Sequence, residues 1–291
     1  MRTCKRIDAL AIPPAWSGVW ISPKSNTHVL AYGYDQKHRK QYVYHPQWDH
    51  YKQKEKFKRM RMLGKDLTKI RVRLHHDLAS EQFSYKHCMA TIVSIMDQVG
   101  IRVGNQRYTK ENKTYGLTTL RTKHVKEQDN SLSFSFIGKS GKEQYYEIDD
   151  QELRETIRAF EELPGSLLFN YYDEFGVKQN VSPSQVRDYI RSLVSRDYSP
   201  KDFRTWRGTV HAMDFLLEQN ESKRLPLEKK DETQLVKHVA DQLGNTPAVA
   251  RERYIHPKIF SCAQKKYLRV SFLRKKRGLS ISESAVLKYC K

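Results

Sequence analysis

The chain has 291 residues, enough for one large domain or for a large and a small one with a proper core. Its 53 lysines and arginines against 33 aspartates and glutamates give a net charge of +20, the footprint of a protein that meets a polyanion. Four scattered cysteines without a CxxC pair (Cys4, Cys88, Cys262, Cys290) argue against a disulfide framework and a zinc site, and no apolar run approaches the roughly 18 residues of a membrane span.

The charge is uneven. Residues 1–62 hold 13 basic and 4 acidic side chains (+9), residues 251–291 hold 12 and 2 (+10), and the stretch between them holds 28 and 27. A solvated basic tail would explain one end. Two basic ends around a near-neutral middle suit a protein that grips nucleic acid from two sides.

In chain order, Ile12-Pro13-Pro14-Ala15-Trp16 precedes β-rich runs at 19–22, 28–34 and 40–45, with turn residues at 23–27 and 35–39. These predict an antiparallel meander. Val29, Ala31 and Gly33 alternate with His28, Leu30, Tyr32 and Tyr34, as in a sheet with one packed and one exposed face. Tyr32, Tyr34, Tyr42, Tyr44 and His45 beside Lys37, Arg39 and Lys40 suit a DNA-facing surface, and equally a well-packed tyrosine-rich sheet.

The basic, helix-prone run YKQKEKFKRMRM (51–62) reads as a linker helix, spanning 51–64, into a second domain, giving domains 1–50 and 51–291. Helices are expected at 66–79 and 84–99, the second carrying Cys88, Ile92, Ile95, Met96 and Val99 on one face. Strands are expected at 116–120 and 124–126, then a hairpin of 131–137 with 143–148 around Gly138-Lys139-Ser140-Gly141-Lys142. Beyond residue 150 the pattern reads as helical to the end, with starts at Ser182-Pro183, Ser199-Pro200 and Pro226. The predicted class is α+β: a small N-terminal antiparallel β domain followed by a larger, mainly α-helical one.

One further short helix is framed by Thr246 as cap, Pro247 at its first position and Pro257 beyond it. Tyr254 falls in its last turn, with small Ala250 four residues earlier and Arg251 and Arg253 around the phenol, so an anion fits there. With 17 tyrosines in the chain, a half-buried packing tyrosine is the plain alternative. Taken singly, Arg102 at a helix end says little, Arg204 among Phe203 and Trp206 reads as a packed surface arginine, and Lys139 as a solvated turn lysine.

Taken in order they are more specific. Arg102, Lys139, Lys201-x-x-Arg204, Asn245 and Tyr254, in the words RVGNQRY, TKENKTYGLTTL, FIGK, KDFRTW and GNTPAVARERYIHP, resemble the type IB DNA topoisomerases of the small poxvirus and bacterial branch. IPPAW, VWI and GYDQKHRKQYVYHPQW match that branch's small N-terminal domain, so the resemblance covers essentially the whole chain. It implies a catalytic domain of the tyrosine recombinase/type IB topoisomerase kind, an N-terminal domain that clamps DNA, and relaxation of supercoiled DNA without ATP. Double-stranded DNA is the implied partner, bound by a monomer that closes around it, with no membrane involved. The implied setting is the nucleoid-bearing cytoplasm for a bacterial source and the virion or host compartment for a viral one.

The resemblance also implies roles. Tyr254 is the nucleophile that forms a 3′-phosphotyrosine, Arg102 and Arg204 clamp the non-bridging oxygens, and Lys139 protonates the 5′-oxygen. Asn245 stands where poxviral and nuclear relatives have histidine and bacterial members commonly have asparagine; it donates one hydrogen bond and cannot become a cation. Lys201, Tyr108, Tyr44, Lys40 and Arg39 are the DNA-binding candidates. No cofactor and no metal are expected, since the cationic side chains supply the charge a metal would, and His75-His76-Asp77 reads as a helix-surface cluster. IPPAW begins at Ile12, whereas many relatives have a further β-hairpin ahead of it. The rival readings are a tyrosine recombinase, which typically has His-x-x-Arg in place of Lys201-x-x-Arg204 and lacks the IPPAW module, and a non-enzymatic DNA-binding protein.

Overall fold

The computed structural model describes residues 2–128, 131–269 and 277–291, and the chain divides into two compact units, Met1–Lys58 and Arg59–Lys291. The first contains a short helix α1 (Arg2–Asp8) that the sequence did not announce, then strands β1 (Ser17–Ile21), β2 (Val29–Tyr34) and β3 (Lys40–Tyr44) in an antiparallel sheet of order β1-β2-β3. Trp20 pairs with Tyr32 and Tyr32 with Tyr42, so these rings share one face, while Ala31 and Gly33 are buried on the other. The expected alternation holds from Ala31 to Tyr34 but not before it: Leu30, expected on the exposed face, is buried, where a bulge between Val29 and Ala31 shifts the register.

The run 51–62 is helical as expected, and the division between the two units falls within it. Helix α2 extends without interruption over Pro46–Leu78. After Pro46 at its first position it lacks proline, is rich in Lys, Gln, Glu, Met and Arg, and continues with Met60, Leu63, Leu67, Ile70 and Leu74 on a buried stripe of helical period. Helix α3 (Tyr85–Val99) starts as expected, capped by Ser84, and stops at Gly100 with φ +65°. Asp77 is not part of a surface cluster: it is buried and accepts from Tyr189 Oη at 2.8 Å.

The expected strand at 116–120 is instead a 3-10 turn, Leu117–Thr119, and a second one, Thr122–His124, precedes β4 (Val125–Gln128). Burial explains the first: Leu117 and Leu120 are both fully covered, and a 3-10 turn puts residues three apart on one side. Helix α4 (Gln106–Asn112) lies ahead of these turns, unannounced by periodicity because none of its residues is buried. Strands β5 (Ser131–Ile137) and β6 (Glu143–Ile148) form the predicted hairpin and complete a sheet of order β4-β5-β6.

Helix α5 (Gln151–Glu161) follows, and then the expectation of helix to the end fails at β7 (Asn170–Tyr172) and β8 (Lys178–Asn180). Asp173 Oδ1 accepts from the amides of Phe175 and Val177, and Gly176 has φ +71°, so local turn chemistry closes this hairpin. Helices α6 (Pro183–Val194) and α7 (Pro200–Glu221) begin at the predicted serine caps. Helix α8 (Lys229–Gln242) begins three residues after Pro226, capped by Glu228. Helices α9 (Pro247–Arg253), α10 (Lys258–Ala263) and α11 (Ile281–Tyr289) complete the chain. No described helix is long and apolar enough to cross a membrane, and all four cysteines are free.

The core of the second unit surrounds Trp206 of α7, which is fully buried. A buried ion cluster ties α2, α3 and α11 together: Arg71 donates to Asp97 at 2.6 Å, to Glu283 at 2.7 Å and to the Gly278 carbonyl at 2.8 Å. Asp97 and Glu283 are 7% and 2% exposed. Arg71→Met therefore leaves Asp97 without its cation and Glu283 with only the more distant Arg207 at 3.9 Å, and the expected loss is about 3–5 kcal/mol, measured as the shift in urea unfolding; a change under about 1 kcal/mol contradicts the pairing.

Candidate active site

Four chain segments converge in the second unit. Beyond Gly100, Arg102 lies between buried Ile101 and Val103, and the carbonyls of Arg102 and Val103 accept from Leu117 and Thr118 of the 3-10 turn at 2.9 and 2.7 Å. Arg204 sits early on α7 and is 3% exposed. At the end of α8, Gly244 turns the chain with φ +55°, and Asn245 donates its amide to Ala240 at 2.8 Å. Thr246 then caps α9. Tyr254 ends α9 as its C-cap, half-buried, and its carbonyl accepts from Thr209 Oγ1 at 3.1 Å.

Arg204 spans two helix ends. Its Nη1 donates to the carbonyl of Gly100 at 2.5 Å and its Nη2 to that of Leu243, the C-caps of α3 and α8, while Nε is buried without a partner. Carbonyls at helix C-termini are unsatisfied and carry partial negative charge, so a guanidinium belongs there. The guanidinium carbon also lies 5.2 Å from the centroid of the Tyr254 ring. Arg102 donates to Asn245 Oδ1 at 2.5 Å and to Gln144 Oε1 at 3.3 Å. Burial, then the charge of Arg204, push the pKa of Arg102 down, against the opposing effect of Tyr146 and Tyr254.

Neither Arg102 nor Arg204 has an acidic partner among the described residues. Asn245 is 9% exposed; its oxygen is held by Arg102, and its Nδ2 is buried with no acceptor. Two adjacent sheltered cations and an unused amide donor form a site for an anion.

The structure thus brings together Arg102, Arg204, Asn245 and Tyr254. Lys139 stands apart, exposed on the turn Lys139–Gly141 between β5 and β6, and makes no hydrogen bond or ion pair among the described residues. Arg251 and Arg253 do not surround the phenol as expected: Arg251 lies over the Phe260 ring at 4.1 Å and 3.8 Å from Glu232, and Arg253 is 2.9 Å from Glu252. Of the DNA-binding candidates, Lys201 is exposed one turn before Arg204, and Tyr108 is 50% exposed on α4. In the first unit Lys40 Nζ sits 3.8 Å over the Tyr32 ring, Tyr44 stacks on Tyr42 at 5.7 Å, and Arg39 is held by Asp35 at 2.7 Å.

A family model described as eukaryotic DNA topoisomerase I, catalytic core, matches residues 39–276, and one described as bacterial DNA topoisomerase IB, N-terminal domain, matches residues 1–35. The DNA topoisomerase 1B of Acanthamoeba polyphaga mimivirus is 32% identical over 259 residues, 86% of this chain and 77% of the relative. The chain belongs to the type IB DNA topoisomerases. The vaccinia virus DNA topoisomerase 1B is 23% identical over 82% of this chain and 74% of its own, and the DNA topoisomerase 1 of Mycosarcoma maydis is 26% identical over 72% of this chain and 23% of its own. This type IB topoisomerase is an isomerase that acts on DNA.

Sequence reading missed three residues beside the site. Lys142 Nζ donates to the Asn245 carbonyl at 3.2 Å, Gln144 lies against Arg102, and Tyr146 Oη donates to Gln144 Oε1 at 3.0 Å. A signal for Gln144 existed: in β6 it occupies an inward register position with Tyr146 and Ile148, where an apolar residue is expected.

A cavity of about 640 Å³ lies behind Asn245, lined among others by Lys142, Tyr146, Arg207, His211 and Gly244. Burial, then Arg207 and His238, hold the His211 imidazole at a pKa of about 3, so it is neutral when folded. An unfolded histidine titrates near 6.5. The folded value is depressed, so the stability contribution is complete above about pH 6.5 and is lost as pH falls toward 3. His211→Gln is expected to lose less stability than the parent between pH 7 and pH 4.5 in urea titrations; equal losses would contradict it.

Proposed function

We propose that Tyr254, Arg102, Arg204, Asn245 and Lys139 carry the strand-cleavage step of this topoisomerase. The observation that supports this most is the pair of sheltered guanidiniums without carboxylates beside a half-buried tyrosine. A DNA phosphate is the anion that completes the group. Its non-bridging oxygens take donors from Arg102, from the hydrogens Arg204 has left, and from Asn245 Nδ2, and these donors hold the extra negative charge of the pentacoordinate transition state.

Tyr254 Oη attacks phosphorus and loses its proton to solvent, while the bond from phosphorus to the 5′-oxygen breaks. Lys139 supplies the proton that the 5′-oxygen needs to leave. The products are a 3′-phosphotyrosine and a free 5′-hydroxyl, so the bond energy is conserved in an ester and religation is the same step reversed. In the free enzyme Lys139 is exposed on a glycine-framed turn, a position from which it swings to the phosphate when DNA binds.

Residues 1–50 act as a DNA-clamping domain and 51–291 as the catalytic domain of a monomer, supported by the two basic ends of the chain. Lys40, Arg39, Tyr44, Tyr108 and Lys201 contact the duplex. The place of action follows the DNA: the nucleoid-bearing cytoplasm for a bacterial source, the virion or host compartment for a viral one.

Supercoiled plasmid incubated in EDTA without ATP is expected to be relaxed by the parent. Tyr254→Phe abolishes relaxation and covalent capture but keeps duplex binding, because only the hydroxyl is lost; a covalent adduct from that variant would sink the assignment. Lys139→Ala slows cleavage of ordinary DNA and is largely restored when sulfur replaces the 5′-bridging oxygen, since a thiolate leaves without a proton. Equal impairment on both substrates would mean that Lys139 only positions the phosphate.

A further inference from the structure

Gln144 is the polar side chain with the most unusual surroundings outside the proposed catalytic set. It is 3% exposed on the inward face of β6, opposite Phe136 of β5. An amide has two hydrogens to donate and two lone pairs on its oxygen, and here all are used. Oε1 accepts from Arg102 Nη1 at 3.3 Å and from Tyr146 Oη at 3.0 Å, while Nε2 donates to the carbonyl of Glu143 at 2.9 Å and shares its reach between those of Gly244 and Lys142, both at 3.4 Å.

Two glycines close on the same amide. A Cβ at Gly138 would stand 2.5 Å from Gln144 Cγ, and one at Gly244 would stand 2.2 Å from Gln144 Oε1, so at both places only hydrogen leaves room. Gly138 immediately precedes Lys139, and Gly244 immediately precedes Asn245. One side chain therefore touches Arg102 itself and the backbone next to Lys139 and next to Asn245.

We infer that Gln144 is a positioning residue that sets Arg102, the Lys139 turn and the Asn245 loop in one common geometry; the inference rests on the roles proposed above for those three. Gln144 need not touch DNA to act in this way. Removing its amide frees one Arg102 nitrogen, leaves the Gly244 carbonyl without its donor, and opens space into which both glycine turns can relax. Displacements of about 1 Å at a reacting centre cost on the order of 10²-fold in rate.

The test compares Gln144→Met, which keeps the length of the side chain but neither donor nor acceptor, with Gln144→Glu, which keeps the shape but cannot donate to Gly244. Single-turnover cleavage and religation of a duplex oligonucleotide are expected to slow together by about 10- to 100-fold, with duplex binding unchanged. On the substrate with a 5′-bridging sulfur, part of the loss in Gln144→Met is recovered, because one of the three displaced groups is the proton donor. Combined with Arg102→Ala, the Gln144→Met loss is expected to shrink, since residues acting through one contact are not additive. A merely structural role would leave neither signature.

Parental cleavage rates in Gln144→Met overturn the inference, as do parental rates in Gln144→Glu should the methionine variant fail to fold. Losses that multiply in full with those of Arg102→Ala overturn it also. Parental cleavage by Arg102→Ala alone would remove the reading on which the inference rests, and so separates that failure from failure of Gln144.

Discussion

Three successive carbonyls at the end of α8 determine the geometry of the site. Leu243 accepts from Arg204, Gly244 from Gln144 and Asn245 from Lys142. A helix end leaves such groups unsatisfied and negative, and here each draws a side chain from a different element: α7, β6 and the turn before β6. Arg204 extends the connection to the end of α3 through Gly100, the point from which Arg102 departs. The anion site is thus assembled by the same hydrogen bonds that finish two helices, and its cations are fixed before any ligand arrives.

Comparison with Arg71 sets out what supports an anion at the site. Both Arg71 and Arg204 donate to backbone carbonyls, but Arg71 also meets Asp97 and Glu283, so its charge is compensated inside the protein. The acid closest to Arg204 in sequence, Asp202, is fully buried and engaged elsewhere, by Arg59 at 2.8 Å and by Ser199 at the start of α7. Sheltered charge without a counter-charge is costly, and proteins retain it where a ligand compensates. In the function proposed here that ligand is a backbone phosphate.

Much of this was legible in the sequence because the residues involved sit at punctuated places. Ser199-Pro200 fixes the start of α7 and hence the position of Arg204; Thr246-Pro247 fixes α9 and hence Tyr254. At 116–120 tertiary burial overrides local pattern. That segment has strand-like composition but turns so that Leu117 and Leu120 are buried together, whereas 51–62 is helical as expected and Met60 within it begins a buried stripe that continues through Leu74. The hairpin of β7 and β8 was readable from Asp173 and Gly176, whose turn chemistry outweighs a mostly helical neighbourhood. Gln144 was hidden differently: a lone glutamine in a hairpin carries no motif, and its importance comes from two glycines distant in sequence.

Asn245 has one more consequence. Arg102 holds its oxygen, which sets the amide's polarity and leaves only the N–H side for a ligand. An amide does not ionise, and arginine stays protonated throughout the range in which proteins are folded. The cradle formed by Arg102, Arg204 and Asn245 thus lacks a histidine, the side chain whose charge fades as solution becomes alkaline. In the roles proposed above, such a cradle leaves the gain and loss of protons during cleavage to Tyr254 and Lys139.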